Sequence, residues 1–152
     1  MLRYFHDNGL VKIEERVPEN WEEAIRFSAE VLKDKSLITD EYVNQVVNDV
    51  KEYGPYIVII PGVAMPHSSA ENQGVLGTGI GFTIMPETVS FEENNPEKDA
   101  KLFFMLAAKD SEQHMQNIAN LSELLMQDGM VEDLMQIKTL EDFESVMNKH
   151  NM

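Results

Sequence analysis

Three short, strongly apolar runs do most to limit what this chain can fold into. They are YIVII (residues 56–60), GVAM (residues 62–65) and KLFFMLAA (residues 101–108). Strands without a polar face belong in a sheet that is covered on both sides. We therefore predict an α/β fold, a single three-layer α/β/α domain over residues 1–152, with a central mixed sheet flanked by helices.

Amphipathic segments with capping signals alternate with these runs and predict the helices. A first helix begins at Asn20, with Glu23 three residues later as in a capping box. A second begins at Thr39 and ends at Gly54 and Pro55. After the last apolar run we predict a helix from Asp110 or Ser111 to about residue 127, then two short helices over residues 130–136 and 140–148, the latter capped by Thr139.

Two further segments complete the predicted sheet and its connections. Residues 10–17 alternate well enough for a first strand. The stretch GVLGTGIGFTIM (residues 74–85) carries Gly77, Gly79 and Gly81, but their spacing matches neither phosphate-binding glycine fingerprint. We predict a strand whose glycines permit close packing, followed by a polar surface loop over residues 85–100.

Charge and composition exclude several classes of function. Twelve lysines and arginines against 27 aspartates and glutamates give a net charge of −15, which argues against nucleic acid or an anionic membrane surface as a partner. The absence of cysteine excludes disulfide and thiolate chemistry in this chain. No leader and no bilayer-length apolar stretch is recognisable, so we expect a cytoplasmic protein without membrane insertion.

The chain has four histidines, and two of them follow directly on apolar strands. His6 and His150 lie near the termini in polar surroundings, and we expect no functional role for them. His67 and His114 follow predicted strands, and ligands of α/β sheets gather beyond the carboxyl ends of strands. The two side chains are candidates for one crevice. With Ser111 as N-cap, His114 is the third helical residue, where the helix terminus favours an anion.

Other interpretations of these histidines stay open from the residues alone. Both could have purely structural roles at a strand end and a helix start. A metal site with Asp110 or Glu112 is possible in principle, but no HxH or HExxH spacing appears, and we predict no metal. A serine nucleophile is disfavoured because Ser68 and Ser69 are next to His67 on an extended segment, where adjacent side chains point apart, and no G-x-S-x-G elbow occurs.

Residues 54–68 (GPYIVIIPGVAMPHS) and 107–125 (AAKDSEQHMQNIANLSELL) resemble a known family. The family that they resemble is the enzyme IIA component of the phosphoenolpyruvate-dependent sugar phosphotransferase system (PTS), in the mannitol/fructose superfamily (type 2). The most specific element is Ala64-Met65-Pro66-His67 combined with His114 at the start of a later helix. GPYIVI favours the ascorbate-type branch. The resemblance covers nearly the whole chain and implies a fold like that of mannitol enzyme IIA.

The resemblance also implies a function. His67 would accept a phosphoryl group from phospho-HPr and pass it to a cysteine of enzyme IIB, which serves the membrane enzyme IIC in the uptake of L-ascorbate or a related sugar. His114 would bind the phosphoryl group. The chain would be a phosphotransferase with a phosphohistidine intermediate and no cofactor. The alternative is a regulatory module in which phosphorylation of His67 controls docking to a non-transport partner.

Two departures from the family concern phosphate binding. Relatives often carry an arginine or a small residue after the motif histidine, where this chain has Ser68, whose hydroxyl is predicted to contact the phosphate. Some relatives have an arginine in the helix before the motif, and Lys51 is the nearest match here. Because HPr and enzyme IIB must both reach His67, we expect an apolar, weakly charged surface around it.

Overall fold

A computed structural model describes residues 1–68 and 74–152 of the chain. Six α-helices and five strands occur in these ranges, together with a 3₁₀ turn at Pro96–Lys98 before the last strand. In chain order they are α1 (Leu2–Asp7), β1 (Val11–Ile13), α2 (Trp21–Asp34), α3 (Asp40–Tyr53), β2 (Val58–Ile60), β3 (Gly62–Ala64), β4 (Gly79–Ser90), β5 (Asp99–Ala107), α4 (Ser111–Leu125), α5 (Met130–Met135) and α6 (Leu140–Lys149).

The strands form one five-stranded sheet in the order β1-β4-β5-β3-β2. The pairs β1–β4 and β3–β5 are parallel, whereas β4–β5 and β2–β3 are antiparallel. The sheet is therefore mixed, as predicted. The parallel pair β3–β5 makes the carboxyl ends of these two strands neighbours, and this pairing positions the site.

Neighbouring residues of β4 show that helices cover both faces of the sheet. A Cβ atom at Gly81 would lie only 3.1–3.2 Å from Val31 and Leu32 of α2, so this glycine permits the close packing expected of it. The next residue, Phe82, points to the opposite face. There its ring stacks on Phe104 at 4.3 Å and also contacts aromatic rings of α1 and α6 (Phe5 and Phe143). The predicted three-layer α/β/α architecture is confirmed.

Two predictions about strands were wrong in extent. The predicted strand at residues 10–17 is only Val11–Ile13, preceded by the unpredicted helix α1, which buries Leu2 and Phe5. The predicted polar loop at residues 85–100 instead continues β4 as far as Ser90, paired with β5. Residues 86–88 are exposed, so this end of the strand lacks the apolar pattern that would have identified it.

The strand β2 is apolar on both sides in sequence but is not covered on both sides. It lies at the edge of the sheet, and Ile59 and Ile60 are 58% and 37% exposed. The inference from an apolar run to a fully covered strand therefore holds for β3 and β5 and is wrong for β2.

The helix boundaries follow the predicted caps closely. The Asn20 side chain accepts the Glu23 amide at 2.9 Å, although the Glu23 carboxylate accepts from the Glu19 amide and not from Asn20. Thr139 and Asp142 form a complete capping box at the start of α6. None of the described helices is both long and apolar enough to span a membrane.

Candidate functional site

The parallel neighbours β3 and β5 bring His67 and His114 together. His67 follows β3 by three residues, and His114 lies in the first turns of α4, which starts after β5. Their ring centroids are 5.1 Å apart, at an interplanar angle of 48°. Both side chains are partly buried. The two histidines singled out from the sequence therefore share one site at the carboxyl ends of β3 and β5.

Backbone hydrogen bonds fix the segment that carries His67. The amide of Met65 donates to the Ile57 carbonyl at 2.8 Å, and the amide of Leu106 donates to the Pro66 carbonyl at 2.9 Å. The Tyr56 hydroxyl donates to the carbonyl of His67 itself, and its ring packs edge-on against the His67 ring with centroids 5.3 Å apart. His67 is therefore held as a continuation of the sheet.

The orientation of the His67 ring decides which nitrogen can react. Its Nδ1 atom lies 2.6 Å from the Met65 carbonyl oxygen. A carbonyl only accepts hydrogen bonds, so Nδ1 carries the proton. In the neutral ring the lone pair is then on Nε2, which makes Nε2 the nucleophilic atom.

Burial lowers the pKa of both histidines. For His67, loss of solvation is the largest cause and the neighbouring His114 adds to it, while the Met65 carbonyl and Asp49 act in the opposite direction. For His114, burial is the cause. A lowered pKa keeps both imidazoles neutral at neutral pH, so the Nε2 lone pair of His67 is available without a separate base.

His114 occupies a slightly different helical position from the one predicted. Asp110 is the N-cap of α4, and its carboxylate accepts the Gln113 amide at 2.8 Å. With Ser111 as the first helical residue, His114 is the fourth, and its own amide donates to the Asp110 carbonyl at 3.1 Å. His114 therefore contributes its ring to the site, while its backbone N–H is already used within the helix.

A polar network lies beside His67, and sequence reasoning missed three of its members: Asp49, Tyr42 and Tyr56. The Ser68 hydroxyl donates to Asp49 Oδ2 at 2.7 Å, and Asp49 is only 3% exposed. The Ser68 amide donates to the Tyr42 hydroxyl at 3.3 Å, which in turn donates to the Leu106 carbonyl at 2.7 Å. For Asp49, the available signal was a polar residue on the buried face of α3.

The two predicted phosphate contacts have other partners in the structure. Ser68 follows His67 directly, but its hydroxyl proton is directed at Asp49. The Lys51 ammonium group lies 3.3 Å from the Glu22 carboxylate of α2 and is 54% exposed. Their contacts with a phosphate stay predictions. Ser69, the other serine considered as a nucleophile, lies outside the described residues.

The alternative chemistries gain no support from these contacts. Within residues 1–68 and 74–152, no three histidine or acidic side chains gather in a way that could hold a metal ion. Asp110, one of the two carboxylates considered as a ligand, caps α4. Met115, the residue after His114, is 64% exposed, and the apolar surface expected around His67 stays a prediction.

Comparison with known sequences places the chain in a family. Residues 5–150 match the family described as "Phosphoenolpyruvate-dependent sugar phosphotransferase system, EIIA 2". The chain belongs to this family and is an enzyme IIA-type phosphocarrier of the PTS.

Individual relatives agree with this assignment. The chain is 32% identical over 146 residues to the mannitol-specific cryptic phosphotransferase enzyme IIA component of Escherichia coli K12, covering 96% of each chain. It is 31% identical over 111 residues to the ascorbate-specific PTS system EIIA component of the same organism, covering 69% of this chain and 70% of that one.

Solved structures share the fold. A solution structure of the mannitol-specific cryptic enzyme IIA from E. coli matches with a TM-score of 0.81 and 30% identity, over 97% of this chain and 98% of that one. Enzyme IIA of the E. coli mannitol system, solved in complex with phosphorylated enzyme IIB, matches with a TM-score of 0.75 and 27% identity, over 91% and 94%. The predicted mannitol enzyme IIA-like fold is confirmed.

Proposed function

We propose that His67 is the phosphoryl acceptor of this enzyme IIA and that it works through Nε2. Phospho-HPr is the donor of the phosphoryl group. The acceptor is a cysteine of enzyme IIB, and enzyme IIB in turn serves the membrane enzyme IIC. The observation that carries the proposal is the Nδ1–H···O contact of His67 with Met65, which leaves the lone pair on Nε2 of a ring whose centroid is 5.1 Å from that of His114.

The chemistry needs little beyond alignment. The Nε2 lone pair attacks phosphorus, the N–P bond to the donor histidine breaks, and the donor imidazole leaves with its electron pair. His114, neutral because of its lowered pKa, can donate one ring N–H to the oxygens of the transferring group. The second transfer repeats this exchange with a thiolate on enzyme IIB. The complex of mannitol enzyme IIA with phosphorylated enzyme IIB supports that partner.

The sugar branch is the point on which two relatives of this chain differ. The motif GPYIVI favours L-ascorbate or a related sugar, whereas a mannitol-specific relative has comparable identity and is matched over more of the chain. We keep L-ascorbate as the proposed substrate of the pathway. Specificity is testable through the choice of enzyme IIB, since this chain need not bind the sugar itself.

We further propose that residues 1–152 act as one domain in the cytoplasm. The family match over residues 5–150 and the single sheet of the described residues support the domain assignment.

The direct test is phosphorylation with enzyme I, HPr and phosphoenolpyruvate, followed by intact mass measurement and site mapping. We expect one acid-labile, alkali-stable phosphoryl group on His67, its loss in His67→Ala, and its retention in the matched control His150→Ala. An unmodified chain that is folded, with active donors, would refute the carrier function.

The role of His114 is tested separately. We expect His114→Ala to be phosphorylated but to pass the group to enzyme IIB at least about tenfold more slowly, because the transferring oxygens lose a donor. Transfer at the wild-type rate would show that His114 has another role. Comparing ascorbate-type and mannitol-type enzyme IIB as acceptors tests the sugar branch, and preference for the mannitol-type protein would overturn the ascorbate assignment.

A further inference from the structure

Asp49 is a buried carboxylate beside the site that the phosphotransfer scheme above does not use. It lies on α3 and is 3% exposed. Its Oδ1 atom accepts from the Gln45 side-chain amide at 2.8 Å, and its Oδ2 atom accepts from the Ser68 hydroxyl at 2.7 Å. These two contacts, both from uncharged donors, hold the carboxylate in place beside Ser68.

Asp49 lies close to the proposed acceptor, because Ser68, which donates a hydrogen bond to it, follows His67 directly in the chain. Among the described residues, His114 lowers the pKa of His67 and Asp49 raises it. The direction of the Asp49 effect on the pKa matters for phosphorylation, because a negative charge that favours an imidazolium cation disfavours a phosphoryl dianion on the same ring. Because the site is partly buried, such an interaction is screened less than at an open surface.

We propose that Asp49 is a positioning residue that raises the phosphoryl-transfer potential of phospho-His67. The proposal rests on the proposed function of His67. Asp49 holds Ser68, the residue after the acceptor, and places a negative charge close to the phosphorylated ring. The exchange itself is balanced: one N–P bond to the donor histidine breaks and one N–P bond to Nε2 forms. Asp49 takes no part in these bond changes and shifts only the equilibrium of the exchange.

The position of the nearest predicted cation, Lys51, bears on how strongly the phosphoryl group would be bound. The resemblance to the family placed a lysine in the role of a helix arginine, but Lys51 is paired with Glu22 on α2. A site that binds the phosphoryl group weakly leaves phospho-His67 readily discharged onto enzyme IIB. On this proposal we expect a carrier suited to onward transfer of the group and not to its storage.

The test measures the equilibrium between phospho-HPr and phospho-His67 in the intact chain. In Asp49→Asn we expect the ratio of phospho-His67 to phospho-HPr to rise about tenfold, because removing one buried charge removes its repulsion of the dianion. Asp49→Ala should shift the ratio in the same direction, and Asp49→Glu should restore it to within about threefold of wild type.

Two further variants separate charge from structure. Glu52→Gln removes one negative charge from an exposed position of the same helix and should leave the ratio unchanged. Ser68→Ala removes the hydrogen bond but keeps the carboxylate, and should change the ratio less than Asp49→Asn does. The pKa of His67, followed by NMR titration of the unphosphorylated protein, should fall in Asp49→Asn and stay constant in Glu52→Gln.

The outcomes distinguish this inference from the proposed function. A wild-type chain that takes no phosphoryl group on His67 overturns both. A wild-type chain that is phosphorylated, with the same equilibrium ratio in folded Asp49→Asn and Asp49→Ala, overturns only the role of Asp49. A ratio shifted equally by Glu52→Gln would assign the effect to general charge and overturn it as well.

Discussion

Replacing Tyr42 by phenylalanine isolates the hydroxyl group that links the two strand ends of the site. Tyr42 is 3% exposed, and burial raises the pKa of its hydroxyl to about 12, so the group keeps its proton at neutral pH. That proton is donated to the Leu106 carbonyl on β5 at 2.7 Å, and the oxygen accepts the Ser68 amide at 3.3 Å. The substitution removes both hydrogen bonds and keeps the ring.

The expected cost follows from these two contacts. A neutral buried hydrogen bond contributes about 1 kcal/mol, and a buried partner left unsatisfied raises the loss to about 1–3 kcal/mol. The contact at 2.7 Å is the stronger, and the one at 3.3 Å adds less. The apolar contribution of the ring is unchanged, so we expect the free energy of unfolding to fall by about 2 kcal/mol. For a chain of this size that corresponds to a Tm decrease of roughly 4–8 °C.

Urea unfolding, followed by far-UV circular dichroism and by the fluorescence of Trp21, measures this loss. The matched control is Tyr53→Phe, the same substitution on the same helix at a residue that is 63% exposed, where we expect a change within about 0.5 kcal/mol. The m-value should stay the same in both variants, because neither alters the surface exposed on unfolding.

One result would refute the reasoning. If Tyr42→Phe and Tyr53→Phe unfolded at the same urea concentration with equal m-values, the Tyr42 hydroxyl would contribute nothing to stability. The linkage of Leu106 to Ser68 through this side chain would then be geometric only.

Three further predictions concern the core and the response to pH. Thr83 is buried with an unpaired hydroxyl, so Thr83→Val should stabilise the fold by up to about 1 kcal/mol in urea unfolding, whereas Thr88→Val at an exposed position of β4 should have little effect. Arg16 lowers the pKa of Glu14 to about 2, so Glu14 stabilises the fold above pH 4.5 and this contribution is lost as the pH falls towards 2. Glu14→Gln should therefore flatten the dependence of the free energy of unfolding on pH in this range, and an unchanged dependence would contradict the assignment. Gly81→Ala should cost about 1–3 kcal/mol because a Cβ atom would lie 3.1–3.2 Å from α2, and a variant as stable as wild type in thermal unfolding would show that α2 can move away.

Local chemistry made much of the fold predictable. The caps at Asn20, Thr139 and Asp110 define helix starts because each acts through residues three positions away. The apolar runs identified β3 and β5 because a continuous apolar stretch is also visible over a few neighbouring residues. Helix α1, which was not predicted, and the extension of β4 to Ser90 had no such local signal. Both depend on packing against distant parts of the chain.

The site shows the same division. His67 and His114 stood out because each follows an apolar strand, and the resemblance to the family joined them. Asp49 was not recognised because an acidic residue on an amphipathic helix usually faces water. Only the packing of α3 against the segment after β3 makes it a buried acceptor for Ser68.

The sequence by itself determined the class of fold, the positions of most helices and the two histidines of the site. These follow from side-chain periodicity and capping, which act over a few residues. Only the tertiary structure decided that β3 and β5 are parallel neighbours, that Nδ1 of His67 donates to the Met65 carbonyl, and that Asp49 accepts a hydrogen bond from Ser68. Such features depend on the distance and orientation of atoms from separate segments, which are fixed only when the whole core has packed.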